Sequence, residues 1–518
     1  MTDRKTISAI NPATGQIIRE IEETQLERIP GIYEDSRAAF KSWSALTVKE
    51  RLRYFKKLRH LMAEKIDAIT EIISSDTGKV RMEAAVADVM PVLDAILHME
   101  KHAEKILGRQ KMSTPILFFG KKSYVEYMAR GSVLVISPWN YPLQLAMVPM
   151  LSALAGGNTV VLKPSEVTPL VGQLVEALFK EAGFPEHVVQ VAHGGKEVGA
   201  ELTKHRPDYI FFTGSVRTGK IIQEIAAKDL IPTTLELGGK DPMIVFSDAN
   251  IDRAVKGAVW GSFTNSGQVC MSAERLYVQR PIFERFVAKM RDEVRMLSQG
   301  SGMNHDIGSM TYPEQITVVR EQVLDALEKG AKLVTGEHPD KWDTEKGLFI
   351  EPIILTEVTD DMKIVHEESF GPIIPVIPFD TEEEAVELAN GTIYGLNASV
   401  FSRDIAKAER VVSKLVTGNA VVNDVMVSVV NHGLPFGGAK QSGLGSYHGD
   451  GGLRMFCQEK AVMTDSGKKD TEIQWYPYKG KYQQFSSLFQ QMFGKQKNLA
   501  ESAKVYRELA RLSKEDSK

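Results

Sequence analysis

From residue 131 onward the chain alternates short apolar runs with helix-length segments, and this alternation constrains the fold more than any other feature. The runs VLVI (133–136), TVVL (159–162), HVVQV (187–191), YIFF (209–212) and TTLEL (233–237) are spaced widely enough for crossover helices. Strands buried on both faces read as unbroken apolar runs, and parallel neighbours need helical crossovers. The spacing therefore predicts an α/β fold with a mostly parallel, helix-covered sheet. A second pattern, with strand candidates MIVF (243–246), RLYV (275–278), PIIPVI (372–377) and ASVF (398–401), runs from about 241 to 440. Upstream, residues 24–107 place apolar side chains three and four apart and predict helices. In open parallel sheets ligands bind beyond the carboxyl ends of the strands, so the loops after these runs are where chemistry is expected.

The 518 residues suggest two to four domains at about 150 residues each. Residues 131–162 contain no Asp, Glu, Lys or Arg, but a membrane span needs about 20 predominantly apolar residues. Pro138, Asn140, Pro142, Gln144, Pro149 and Gly156-Gly157 cut this stretch into a buried strand, turn, helix and strand. The N-terminus shows no secretory signal. Two cysteines, Cys270 and Cys457, cannot build a disulfide framework, which points to a reducing, cytoplasmic setting. A net charge of −4 gives no reason to expect a nucleic acid partner, and no metal site is read.

After Asp465 the chain becomes polar and linker-like. Tyr482, Phe485, Leu488, Phe489, Met492 and Phe493 then form a helical apolar stripe. Lys479, Lys481, Lys495 and Lys497 flank the stripe rather than line its polar face. This favours docking on the protein's own surface or a partner subunit over peripheral attachment to a membrane.

Several loops carry chemistry-bearing residues. Gly214 to Lys220 spells seven positions of a triphosphate-binding loop, but the eighth, which should bring a hydroxyl to magnesium, is Ile221. What remains is a turn whose backbone N–H groups suit a dinucleotide pyrophosphate. Lys163 and Glu166 follow TVVL and are placed either to meet ribose hydroxyls or to cap the next helix. Cys270 follows the turn formers Asn265, Ser266 and Gly267, a setting that exposes a thiol. Such a nucleophile needs an activating base or field, and no histidine lies near it in sequence. Glu236 ends an apolar strand, where burial raises its pKa into the range of a general base. The alternative is a structural carboxylate capping the Gly238-Gly239 turn.

PWNYP (138–142), KPSE (163–166), FTGS (212–215), LELGGK (235–240), NSGQVC (265–270), EESFGP (367–372) and LPFGG (434–438) occur here in this order. Together they resemble the aldehyde dehydrogenase superfamily, from NPATG (11–15) to about residue 463. The C-terminal motifs look most like the class 3 and fatty-aldehyde branch, whereas NPATG looks more like other branches. The resemblance implies a Rossmann-like NAD(P)-binding domain (1–117 and 132–238), a catalytic domain (239–440), an oligomerisation arm (118–131 and 453–465) and a helical extension (466–518). It also implies a homodimer or homotetramer.

By the same resemblance, Cys270 attacks the aldehyde to give a thiohemiacetal, whose oxyanion is held by Asn140 and the Cys270 amide. Hydride transfer to a nicotinamide leaves a thioester, which Glu236 hydrolyses by activating water. NAD, with NADP as the variant, would meet Lys163, Glu166, Gly214, Ser215, Gly219, Leu237, Glu368 and Phe370. Trp139, Tyr141, Met147, Met271 and residues 425–433 are the expected substrate lining. That last stretch lacks Arg or Lys for a substrate carboxylate, which favours aromatic or medium-to-long aliphatic aldehydes over a semialdehyde. A non-catalytic protein on the same scaffold is the rival reading.

Overall fold

The structure, a computed structural model, describes residues 5–495 and 497–515. It divides into two compact units. One runs to Gly108 and resumes over Tyr127–Glu459; the other joins Arg109–Glu126 to the chain from Lys460 onward.

The larger unit holds a two-stranded antiparallel hairpin, Thr6–Ile10 with Ile17–Glu22, and two larger sheets. The first has six strands in the order Gly443–Leu444, Thr233–Glu236, Tyr209–Thr213, Ser132–Ile136, Thr159–Lys163, Val189–Val191. All five apolar runs read from sequence are its parallel strands, and only Gly443–Leu444 pairs antiparallel, beside Glu236. The second sheet has seven strands, of which Asp241–Val245, Ala273–Gln279, Ile373–Phe379 and Ser399–Phe401 match the sequence reading. Lys332–Thr335, Ile353–Thr356 and Val421–Val422 extend it and were not anticipated. They are two to four residues long, too short for a period to emerge.

The uncharged stretch 131–162 resolves into strand, helix and strand. Every residue of its helix Gln144–Ala155 is buried, as a helix apolar on all sides requires. Among the described residues no helix is long and apolar enough to cross a membrane.

The smaller unit contains most of a three-stranded sheet ordered Cys457–Thr464, Lys122–Ala129, Gln110–Met112. Its helices Tyr482–Phe493 and Leu499–Glu515 share a small core in which Ile473, Leu488 and Leu509 are buried against Leu117, Phe485 and Met492. The apolar stripe is thus divided: Leu488 packs on this chain, while Tyr482, Phe489 and Phe493 remain exposed.

Candidate active site

Glu236 is the last residue of its strand, and the next four residues carry the chain into the second sheet at Asp241. Its side chain is buried, and neither oxygen has a hydrogen-bond partner among the described residues. Burial alone pushes its pKa well above the usual carboxylate range. Glu236 does not cap the glycine turn. Gly239 donates its amide to Glu368 Oε1 at 3.0 Å, and a Cβ at Gly238 would lie 2.2 Å from Glu368 Oε2.

Cys270 follows a sharply bent loop. The helix Ile251–Phe263 ends, and Asn265 (φ 52°), Ser266 (φ 54°) and Gly267 (φ 71°) all take left-handed conformations. Two of the three are not glycine, so the bend holds strain that its surroundings must stabilise. Gln268 supplies part of that support: Nε2 donates to the Asn265 carbonyl at 2.9 Å, and Oε1 accepts from the Thr311 amide at 2.8 Å. A Cβ at Gly239 would sit 2.6 Å from the Cys270 carbonyl oxygen, so the turn after Glu236 passes directly over the cysteine. Cys270 itself is half-buried. Burial first, then the carboxylates of Asp241, Glu368 and Glu236, push its thiol pKa up.

Asn140 is tied to the same loop. Its Nδ2 donates to the Gln268 carbonyl at 3.0 Å, leaving a second N–H, while its own carbonyl accepts from Asn265 Nδ2 at 3.1 Å and Lys79 Nζ at 2.7 Å.

Two cavities meet here. An apolar one of about 710 Å³ is walled by Val86, Met90, Tyr141, Phe263, Met271, Val427, Val430 and Phe436, among others. A cleft of about 360 Å³ is walled by Trp139, Asn140, Gly214, Ser215, Gly238, Glu368 and Phe370. Glu236, Leu237 and Cys270 line both.

Of the expected substrate lining, Tyr141, Met271, Met426, Val427, Val429 and Val430 face the apolar cavity. Two expectations are corrected. Met147 is fully buried in the core, because its helix is enclosed on every side. Trp139 faces the cleft instead, packed edge-on against Phe370 at 5.4 Å between ring centroids.

The remaining cofactor candidates are arranged as follows. Ser215 caps the helix Val216–Lys228 by accepting from the Thr218 amide at 3.3 Å. Gly219 lets that helix close on Leu237, since a Cβ there would come within 2.7 Å of Leu237 Cδ2. Lys163 and Glu166 pair at 2.6 Å at a neighbouring strand end and do not wall the cleft.

Residues that were not read from sequence hold the site together. Glu274 accepts from the Ser369 and Phe370 amides at 2.8 and 2.9 Å and pairs with buried Lys240 at 2.8 Å, fixing the Phe370 loop. Glu83 and the Lys79–Asp88 pair do the same for the Cys270 and Asn140 loops. For Glu83 and Asp88 the signal in the sequence was a carboxylate interrupting the apolar stretch 82–93. Among the described residues no group of three or more His, Cys, Asp or Glu is placed to hold a metal.

The profile of the aldehyde dehydrogenase family matches residues 1–462. The chain is 41% identical over 491 residues to a 4,4'-diapolycopene aldehyde oxidase from Methylomonas sp, covering 94% of this chain and 92% of the relative. It is 36% identical to a betaine aldehyde dehydrogenase from Vibrio vulnificus, over 90% of this chain and 96% of that one. Among solved structures, the NAD+ complex of an aldehyde dehydrogenase from Bacillus cereus superposes with a TM-score of 0.84 at 35% identity, covering 89% of this chain and 94% of the other. With that superposition and a family match over residues 1–462, the chain belongs to the aldehyde dehydrogenase family.

Proposed function

We propose that this aldehyde dehydrogenase takes an aromatic or medium-to-long aliphatic aldehyde into the apolar cavity and releases the carboxylic acid. The observation that carries this is the placement of Cys270 and Glu236 on the wall shared by an apolar cavity and a glycine-lined cleft.

The Cys270 sulfur adds to the aldehyde carbon. The Asn140 side-chain amide and the Cys270 N–H stabilise the resulting oxyanion, each such donor being worth about 3–4 kcal/mol. Burial and three carboxylates hold the thiol proton, so acylation speeds up as pH rises. After oxidation the acyl group sits on sulfur as a thioester. Glu236, with both oxygens unengaged and its pKa raised, takes a proton from water as that water attacks. A carboxylate in this place favours hydrolysis over transfer to coenzyme A.

The cleft fits a nicotinamide dinucleotide. Gly214 and Gly238 wall it, a Cβ at Gly238 would strike the Glu368 carboxylate that also lines it, and the capped helix start at Ser215 offers backbone donors. Bound there, NAD supplies the hydride acceptor. Glu368 and Phe370 would hold its nicotinamide end and Lys163 with Glu166 its adenosine ribose, where the Glu166 carboxylate disfavours a 2′-phosphate and makes NADP the poorer fit.

The cavity wall supports an apolar substrate. Among the described residues the basic side chains lining it are Lys256 and His305, both exposed, and the same lining carries the acidic Glu293 and Asp306, which favours an uncharged aldehyde over a semialdehyde. The strand Cys457–Thr464 ends its sheet, which supports residues 118–131 and 453–465 as an arm joining a homodimer or homotetramer.

Absorbance of the reduced nicotinamide, followed with aldehydes of increasing chain length, tests the reading. Specificity should rise with chain length and vanish in Cys270→Ala. Highest kcat/KM on a semialdehyde or a cationic aldehyde would overturn the substrate assignment, and turnover by Cys270→Ala would overturn the chemistry.

A further inference from the structure

We propose that Glu83 is the positioning residue of the nucleophile loop, holding the left-handed turn that presents Cys270 from the wall of the aldehyde cavity. The inference rests on the reading of Cys270 as the nucleophile.

Glu83 closes the short helix Arg81–Glu83 and leads into a π-helical turn, Ala84–Val89. Such wide turns concentrate at functional sites. Here the turn supplies Val86 and Ala87 to the cavity, and Glu83 lines the same wall. Glu83 Oε1 accepts from the Asn265 amide at 2.6 Å and from the Thr264 hydroxyl at 3.0 Å. These donors sit at the entry to the two left-handed, non-glycine residues Asn265 and Ser266. A strained turn persists only where its surroundings over-determine it, and Glu83 is the carboxylate that does so. The effect reaches the cysteine through consecutive bonds, from Gln268 N to the Asn265 carbonyl at 3.1 Å and from Val269 N to the Gly267 carbonyl at 2.9 Å. It also reaches Asn140, whose carbonyl accepts from Asn265 Nδ2.

The second oxygen strengthens the case. Glu83 Oε2 is buried without a hydrogen-bond partner among the described residues, an arrangement that costs stability. A residue serving the fold alone gains nothing from it. A residue that must accept two converging donors at the cavity wall needs a rigid, short, two-lone-pair oxygen there, and a carboxylate provides one.

The test uses the full-length enzyme with Glu83→Ala, Glu83→Gln and Thr264→Val. Steady-state kinetics are combined with the rate of iodoacetamide alkylation of Cys270, read on its peptide by mass, and with the thermal midpoint. Glu83→Ala should lose about tenfold or more in kcat. Its Cys270 alkylation rate should change about fivefold while KM for the dinucleotide stays within about twofold. Glu83→Gln, whose carbonyl oxygen can accept both donors, should stay within about threefold of the parent. Wild-type kcat and alkylation in Glu83→Ala, or equal impairment of the Ala and Gln variants, would overturn the proposal. If Glu83→Ala does not fold, Thr264→Val removes one donor only. An altered alkylation rate at an unchanged thermal midpoint supports the proposal, and an unaltered rate sinks it. Turnover by Cys270→Ala would instead refute the nucleophile, a separate result, because alkylation reports loop placement whatever the chemistry.

Discussion

Gly239 gives its backbone amide to Glu368 at 3.0 Å, and this bond releases Glu236, three residues upstream, from any structural duty in the turn. Two carboxylates beside the same glycines are thereby separated in role. One is engaged, with its pKa pushed up to about 8 by burial and by Glu274; the other is buried with both oxygens open.

Glu236→Gln should therefore acylate and then stall. A positioned base contributes about 10²–10⁴-fold, so kcat should fall by that order while a mass increment equal to the acyl group builds up on the Cys270 peptide. Normal turnover with no adduct would assign the base to another residue.

The cavity wall makes a size prediction. Ala87 is half-buried on the wall of the apolar cavity. In Ala87→Phe the added ring takes space that a long or aromatic aldehyde needs and that a two-carbon aldehyde does not. Contacts of this kind are worth about 1–3 kcal/mol, so kcat/KM for long aldehydes should drop about tenfold or more while acetaldehyde is little affected. A uniform loss across chain lengths would place the substrate elsewhere.

The frame of the site was legible in the sequence because its strands are continuous apolar runs, and each run ends at a loop that the strand-end rule singles out. Glu236 and Cys270 stood out as a carboxylate ending such a run and a thiol following turn formers. The supports were not legible. Glu83, Asp88 and Glu274 act across 55 to 182 positions of chain, and a helical or strand period says only that a charge is misplaced, not which amide it meets. Met147 and Trp139 were assigned to the substrate from proximity in sequence. Which face of an all-buried helix, or which side of a turn, a residue takes is decided by packing that no period encodes.

Lys79 and Asp88 form a fully buried pair at 2.7 Å. Asp88 also accepts from the Leu143 and Gln144 amides at 3.1 and 3.3 Å, so the pair anchors the loop that carries Asn140. Lys79→Met leaves that carboxylate buried and unpaired, which costs about 3–5 kcal/mol. The thermal midpoint should fall sharply, and adding Asp88→Asn should restore part of it. An unchanged midpoint in Lys79→Met would mean the pair contributes nothing.

Asp76 lies buried in the helix Ile66–Thr77, with Oδ2 accepting from the Val171 amide at 3.0 Å and Oδ1 unpartnered among the described residues. Burial raises its pKa from 3.8 to about 7 against the opposing pull of the Val171 and Leu170 amides. Between those two values the unfolded chain has lost the proton and the folded chain keeps it, so folding takes up a proton. Stability from this group is then complete at low pH and is lost as pH rises toward neutrality, at no more than about 1.4 kcal/mol per pH unit. Asp76→Asn keeps an acceptor for Val171 and removes the titration. The variant should therefore gain on the parent in thermal midpoint as pH rises from about 4 to about 7. A difference independent of pH would show that Asp76 is ionised throughout, held by the helix start it caps.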